Sequence, residues 1–288
     1  MKLIIKCMLA PGWIALAACS TPVTAPKPEQ PTMAQTVSEA IDPKKGQQDQ
    51  VGTSTPQLPP QVVMALSYHS VLSRGISISG VCFDDRDFQL RVADQPDGCG
   101  SRWMDAKSAA ITYQGLAAIN GGFFTPEGKP LGLLIEDGIK RGKLHSSALG
   151  SGIFISSSTG SAMIRREDYL SSGLTTKADH LLQSGPMLVE HGKPTDGLSN
   201  EKNRTRSFLA WDGRHHWMIG HAAPCSLKSL ADALAHIPIQ GFKVTTALNL
   251  DGGRSSDLWV GAEVENGDKT HRSFLNKAVR NYLVLIER

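Results

Sequence analysis

From residue 76 onward the chain is written in apolar runs of strand length, each closed by a turn rich in glycine, proline, asparagine or aspartate. That punctuation confines it to a fold built on sheet. Its most pronounced unit is residues 244–260. The first half, through Ala247 and Leu250, is β-branched and aliphatic and reads as a buried strand. Two glycines then allow a tight turn, and a second apolar run begins at Leu258. Between the runs lie Asn249, Asp251, Gly252, Gly253, Arg254, Ser255 and Ser256. An amide, a carboxylate, a guanidinium and two hydroxyls thus share one loop at a strand end, where functional groups are commonly carried on a rigid sheet. Taken alone, Asp-Gly-Gly is equally a β-turn with an Asx cap.

The same grammar recurs along the chain. Residues 76–83 and 88–92 alternate apolar with polar positions around an acidic corner, the pattern of a hairpin. Residues 115–119 form an apolar strand running into Asn120, Gly121, Gly122, Phe123 and Phe124. Further hairpins are expected at 131–136 with its return strand, at 151–156 with 161–165, and at 208–211 with 216–219. Residues 180–189 read as a strand-like run broken by Gln183, Ser184, Gly185 and Pro186. Helices are few. Residues 103–113 form one, and Ser226 caps another whose apolar face is Leu227, Leu230, Ala231 and Leu234. Residues 281–286 are a nearly continuous apolar strand suited to the middle of a sheet. The expectation is an α+β, or mixed α/β, single domain over residues 61–288, on a mixed, mostly antiparallel sheet with hairpins and a few packed helices. A content of 40% hydrophobic and 20% charged residues is compatible with a core of that size. No internal repeat is evident.

Lys2 and Lys6 precede a short apolar segment, interrupted by Pro11 and Gly12, that ends Leu16-Ala-Ala-Cys19. It is too short and broken for a membrane helix and reads as a signal peptide over 1–18. Leu-Ala-Ala-Cys resembles the lipobox of bacterial lipoproteins, which implies lipidation of Cys19. Ser20 at the next position implies outer-membrane sorting facing the periplasm. Residues 19–60 are then a linker, since eight of the sixteen prolines fall within it among Gln, Lys, Thr and Glu. Its 41 residues after Cys19 span about 35 Å as a coil and approach about 130 Å as extended polyproline.

Removal of residues 1–18 takes away two lysines and no acids, leaving 28 basic against 27 acidic residues, a net charge of +1 with histidine neutral. No Lys/Arg-rich run remains, so nucleic acid is not an expected partner, and no protein partner is indicated. With Cys7 in the signal and Cys19 lipidated, Cys82, Cys99 and Cys225 are left in an oxidising compartment. Three pairings are open. The favoured one is a Cys82–Cys99 disulfide across the expected strand, turn and return, worth roughly 3 kcal/mol, with Cys225 a buried free thiol.

Several reactive signatures are missing: a Gly-x-Ser-x-Gly elbow, a phosphate loop ending in Gly-Lys-Ser/Thr, Cys-x-x-Cys and His-Glu-x-x-His. The nearest histidine set, His215, His216 and His221, would be divided between strand faces, so neither a metal site nor a cofactor is expected. What remains is four polar corners: Asn120 to Phe124, Gln183 to Pro186, Asn203 to Arg206, and Asn249 to Ser256. In this order they resemble the phosphodiester glycosidase family over roughly residues 62–288. The matching motifs are Asn-Gly-Gly-Phe-Phe at 120–124, Gly-x-Pro-x-Gly-Leu at 128–133, Ser-Gly-Pro-x-Leu at 184–188, Arg-Thr or Arg-Ser at 204–207, and Asn-Leu-Asp-Gly-Gly-x-Ser-Ser at 249–256. Arg254 stands where many relatives have a third glycine.

The resemblance implies hydrolysis of a sugar 1-phosphodiester in an envelope or extracellular glycan. A carboxylate beside the ring would stabilise or capture the oxocarbenium-like state, and Asp251 is the candidate. The phosphate leaves as a stable anion, so a second acid matters less than donors for its charge. Arg204 is the first choice for that role and Arg206 the second. Asn120 completes the catalytic set. Ser184, Asn249, Gly252, Gly253, Ser255, Ser256 and Phe124 are expected to bind substrate, with Glu127 a reserve acid or base. The alternatives are a non-catalytic module binding anionic glycan, or a hydrolase for another phosphodiester or for peptidoglycan.

Overall fold

The computed structural model describes residues 64–172 and 178–288. The expected signal segment, Cys19 and the linker lie outside the described residues. The elements run β1 (Ser67–Ser73), β2 (Ile76–Asp84), β3 (Phe88–Asp94), α1 (Ala106–Thr112), β4 (Ala117–Asn120), β5 (Leu134–Glu136), β6 (Ile139–Arg141), β7 (Gly152–Ser157), β8 (Gly160–Arg165) and α2 (Arg166–Ser172). They continue with β9 (His180–Ser184), β10 (Met187–Glu190), β11 (Lys193–Pro194), β12 (Arg204–Trp211), β13 (His216–Cys225), α3 (Leu227–Ala235), β14 (Thr246–Asn249), β15 (Asp257–Val260), β16 (Lys269–Arg272) and β17 (Asn281–Glu287). Every ladder between these strands is antiparallel. The fold is α+β, within a unit spanning Leu58–Arg288.

Three sheets, rather than one, surround a shared core. The large sheet has the order β1-β2-β13-β12-β14-β10-β11, the second β16-β15-β4-β17-β3, and the third β6-β5-β9-β7-β8. Strand alternation assigns the faces. Leu209 of β12, Leu283 and Leu285 of β17, and Phe154 of β7 all enter the shared core. Their neighbours turn outward: Phe208 and Ala210 pack with α3, Tyr282 and Val284 with α1, and Ile153 and Ile155 with Tyr169 of α2. Each sheet therefore has one face in common with the others and a helix on its other face. Full burial of a leucine or phenylalanine contributes roughly 1.5–3 kcal/mol, so the shared core is the main driving force holding the three sheets together.

The three local hairpins form as expected, β5 with β6, β7 with β8 and β12 with β13. The hairpin expected from residues 76–83 and 88–92 does not. Strand β2 pairs with β1 and β13, whereas β3 pairs with β17 in the second sheet. At the corner between them Arg86 clasps the buried Asp84 carboxylate, and the chain passes from one sheet to the next. Helix α1 is shorter than expected because Asp105 caps it, accepting from the Ser108 amide at 2.8 Å. Residues 180–189 separate into β9 in the third sheet and β10 in the large one.

The expected Cys82–Cys99 disulfide is a further correction, since Cys82, Cys99 and Cys225 are all free. Without the hairpin nothing brings the first two together. Cys82 packs into the α3 side of the large sheet, while Cys99 sits on the loop after β3, beside Gly128. Burial pushes the Cys82 thiol up to about 12 and the Cys225 thiol up to about 11, so both are inert in the folded protein.

Candidate active site

Four strand-end segments meet at the C-terminal end of β14. Leu250 donates its amide to Ser207 O and Asp251 donates to Gly121 O, which draws β12 and the loop after β4 onto the turn. Asn120 ties the junction. Its Nδ2 donates to Asp251 O at 2.7 Å, and its Oδ1 accepts from Ser207 Oγ at 2.6 Å and from the Asp257 amide at 3.0 Å. The side chain is fully buried. Asn120 thus positions Asp251, and its amide and carbonyl are already occupied. Gly121 has to be glycine, because a Cβ there would lie 2.1 Å from Asn281 Oδ1, which accepts from the Gly122 amide.

Ser184 of the third sheet and Asn249 of the large one close the corner. The buried Ser184 hydroxyl donates to Asn249 O at 2.9 Å, and Asn249 Nδ2 donates to Gly185 O at 2.9 Å. The buried Asn249 Oδ1 has no partner among the described residues. Both side chains bind the ends of β9 and β14 to one another.

Asp251 itself is partly buried. Its Oδ1 accepts from the Gly252 amide at 2.9 Å, and the Ser255 hydroxyl also bonds the carboxylate. Burial holds the carboxyl above its ordinary value, and those hydrogen bonds with the nearby Arg204 charge oppose the shift. Arg204 opens β12 in an exposed position, and its guanidinium makes no hydrogen bond to a described residue. It reaches the turn at Gly253, where a Cβ would lie 3.8 Å from Arg204 Nη1. Gly253 has φ +64, in the left-handed region, so the backbone favours glycine. The Arg204 guanidinium, with no hydrogen bond to a described residue, thus lies beside Gly253 and near enough to Asp251 for its charge to act on the carboxylate.

The other expected residues divide. Arg206 is buried, donating from Nε to Cys225 O at 3.0 Å and from Nη2 to Lys202 O at 2.7 Å. It secures the bulge in β12. Glu127 is exposed on the loop after β4, and a bond from the Thr125 hydroxyl holds its carboxyl below the usual range. Phe124 packs against the α1 cluster containing Trp103 and Tyr282. Among the described residues, neither Glu127 nor Phe124 has a hydrogen bond or ion pair with Asp251. Ser256 is 2% exposed, its hydroxyl has no partner among the described residues, and it lines a pocket of about 300 Å³ with Thr205, His221, Gly253, His271 and Asn276.

His271 and Asn276, which flank this pocket, carry no signal in the sequence, and Gln183, named there only as the start of a polar corner, proves to be a brace whose Oε1 accepts from the Leu133 and His145 amides. His221 and His271 approach within 5.0 Å between ring centres. They lie on strands of different sheets, so no spacing in the chain announces the pair. A separate group, Asp84, Asp85 and His215, has ligand atoms within 4.8 Å of one another and the composition of a cation site. It lies at the opposite end of β13 from Cys225, the partner of Arg204, and Arg86 already neutralises Asp84.

Fold and corner together define an α+β domain whose reactive groups sit on strand-end loops. The chain belongs to the phosphodiester glycosidase family: the family model matches residues 113–286, more than half of the sequence. It is similar in structure to the catalytic domain of zebrafish N-acetylglucosamine-1-phosphodiester alpha-N-acetylglucosaminidase, auto-inhibited by its pro-peptide. That likeness has TM-score 0.53 and 19% identity over 77% of this chain and 82% of the other. A hypothetical protein from Synechocystis is similar with TM-score 0.51 and 16% identity, over 77% of this chain and 61% of that one. At these identities the likeness is one of fold. No curated protein matches the chain.

Proposed function

We propose that the protein hydrolyses a sugar 1-phosphodiester in a bacterial envelope or extracellular glycan. The observation that carries this reading is the Asp251 carboxylate on the loop after β14 with the exposed Arg204 guanidinium beside the same loop at Gly253, close enough for its charge to act on Asp251. Arg204 supplies a fork of donors for the phosphate oxygens and stabilises the charge that develops as the anomeric C–O bond breaks. Asp251, ionised, stabilises or captures the oxocarbenium-like carbon. Water then supplies the oxygen at that carbon, leaving a free sugar and a phosphate monoester. The departing group is already a stable anion, so a single carboxylate suffices where an ordinary glycosidase uses a pair. Asn120, Ser184 and Asn249 act by holding the loop. In this reading lipid on Cys19 anchors the domain at the outer membrane, facing the periplasm.

The test uses the soluble domain, residues 61–288, with an N-acetylhexosamine 1-phosphate methyl diester, a phosphate diester lacking sugar, and muropeptides. Only the first should release sugar. Asp251→Asn should abolish release while keeping the fold, and Arg204→Ala should lower kcat/KM roughly a hundred- to a thousandfold. Undiminished turnover by the purified Asp251→Asn variant removes Asp251 from the reaction.

A further inference from the structure

Beside the turn that carries Asp251 the surface changes character. Phe274 is 95% exposed, and Leu275 and Met104 are each 60% exposed. Apolar side chains left in water ordinarily stand singly, and these three do not. Arg272 donates from Nη2 to Met104 O at 3.1 Å, and a Cβ on Gly100 would lie 3.1 Å from both Met104 Sδ and Ala278 Cβ. The segment before α1 and the segment after β16 therefore run side by side, and their apolar side chains occupy one stretch of surface.

The patch is held in place through its backbone. Arg254, on the turn after β14, donates from Nε to Leu275 O at 3.3 Å, and its carbonyl accepts from the Lys277 amide at 3.1 Å. Asn276 Nδ2 donates to Ser256 O, and the Leu275 amide donates to Ser273 Oγ at 3.3 Å. With the main chain so tied, Phe274 and Leu275 are presented outward rather than left there by a loose loop. The charges around them lean to one sign. Arg102, Lys107, Arg254 and Lys277 are exposed, and none forms an ion pair with a described residue. Against these four stand Asp97 and Asp105, and the Asp105 carboxylate is engaged in capping α1. Arg272 and the buried Asp257 neutralise one another.

An apolar centre with a cationic rim matches the surface of an anionic bilayer, whose acyl region takes the apolar side chains while its phosphates meet the cations. A sugar would use the Phe274 ring but has no use for a thioether and an isobutyl group beside it. We infer that this face is a membrane-docking surface, with Phe274, Leu275 and Met104 entering the bilayer interface and Arg254, Lys277, Lys107 and Arg102 on its headgroups. The turn bearing Arg254 also bears Asp251, so docking sets that corner at the lipid surface. The inference stands on the patch alone and depends neither on the proposed reaction nor on lipid at Cys19.

Vesicle co-sedimentation tests it on the chain from Ser20 onward, which keeps the whole Leu58–Arg288 unit and lacks the cysteine that would carry lipid. Vesicles of phosphatidylethanolamine with phosphatidylglycerol should carry the protein down, and vesicles of phosphatidylethanolamine with phosphatidylcholine should do so far less. Phe274→Ala should weaken binding about tenfold, the size of one aromatic ring returned to water. Lys277→Glu should weaken it about fivefold or more on the anionic vesicles only, and added salt should act in the same direction. Both side chains are exposed, so both variants should keep the wild-type Tm. No binding to the anionic vesicles, equal binding to the two mixtures, or binding indifferent to Phe274→Ala overturns the inference. A dimer that Phe274→Ala dissociates, found together with no vesicle binding, assigns the face to a second copy of the chain and overturns it as well.

Discussion

Asp251 sits where burial disfavours its charge, and this has a consequence for folding. The folded protein holds the carboxyl proton to higher pH than the unfolded chain does. Between the ordinary Asp value of about 3.9 and the raised one, the native state therefore binds more protons, and stability falls as pH rises through that window. At neutral pH the ionised carboxylate costs stability. Asp251→Asn is accordingly expected to raise Tm near pH 7, with the gain shrinking as pH falls toward the ordinary Asp range, in thermal melts across pH. A variant less stable than wild type at pH 7 would contradict this account of the side chain. If Asp251 serves as proposed, the same shift predicts the acid limb of activity: kcat/KM should fall as Asp251 protonates, at a pH above the ordinary Asp range. Asn120 behaves in the opposite way. Its replacement by alanine strands the buried Ser207 hydroxyl and the Asp257 amide, so Asn120→Ala should cost about 2–5 kcal/mol in urea unfolding.

At the scale of elements, what could be read from the sequence is what turn chemistry fixes locally. Asp137-Gly138, the turn at Ser157–Gly160 and Asp212-Gly213 each join strands that do pair. The acidic corner after Asp84 has a similar composition, yet its strands part into two sheets, because the outcome depends on partners far away in sequence, β13 for β2 and β17 for β3. The β17 strand, by contrast, was legible as a central strand from its unbroken apolar run, and it lies between β4 and β3. Strand β1 carries too many serines and one histidine to be recognised without its neighbour β2. Packing on the α3 side of the large sheet also explains a glycine pair. Gly220 lies beneath the ring of Phe208, where a Cβ would come within 2.2 Å, and it pairs directly with Gly80. Phe208→Ala should uncover this groove and cost about 3–5 kcal/mol in chemical denaturation.

For the molecule as a whole, the site lies at a corner where residues of all three sheets are bonded to one another. Its loop belongs to the large sheet, its anchor Asn120 to the second, and its closing hydroxyl Ser184 to the third. The identities of these groups were legible in the sequence because Asn, Ser, Arg and Asp stand at glycine-rich corners. Their surroundings were not: Arg204 is left exposed and Asp251 partly buried, while Asn120, Ser184 and Arg206 are buried and committed to internal bonds. Nor was the histidine pair, which exists only because β13 and β16 of different sheets face one another.

The central claim is that the bond broken lies between the sugar carbon and oxygen, with Asp251 beside that carbon. Turnover of an N-acetylhexosamine 1-phosphate diester in water enriched in heavy oxygen, with products analysed by mass spectrometry before anomeric exchange, tests it directly. The account predicts the label in the released sugar and none in the phosphate monoester. Heavy oxygen in the phosphate would mean attack at phosphorus, and would contradict it.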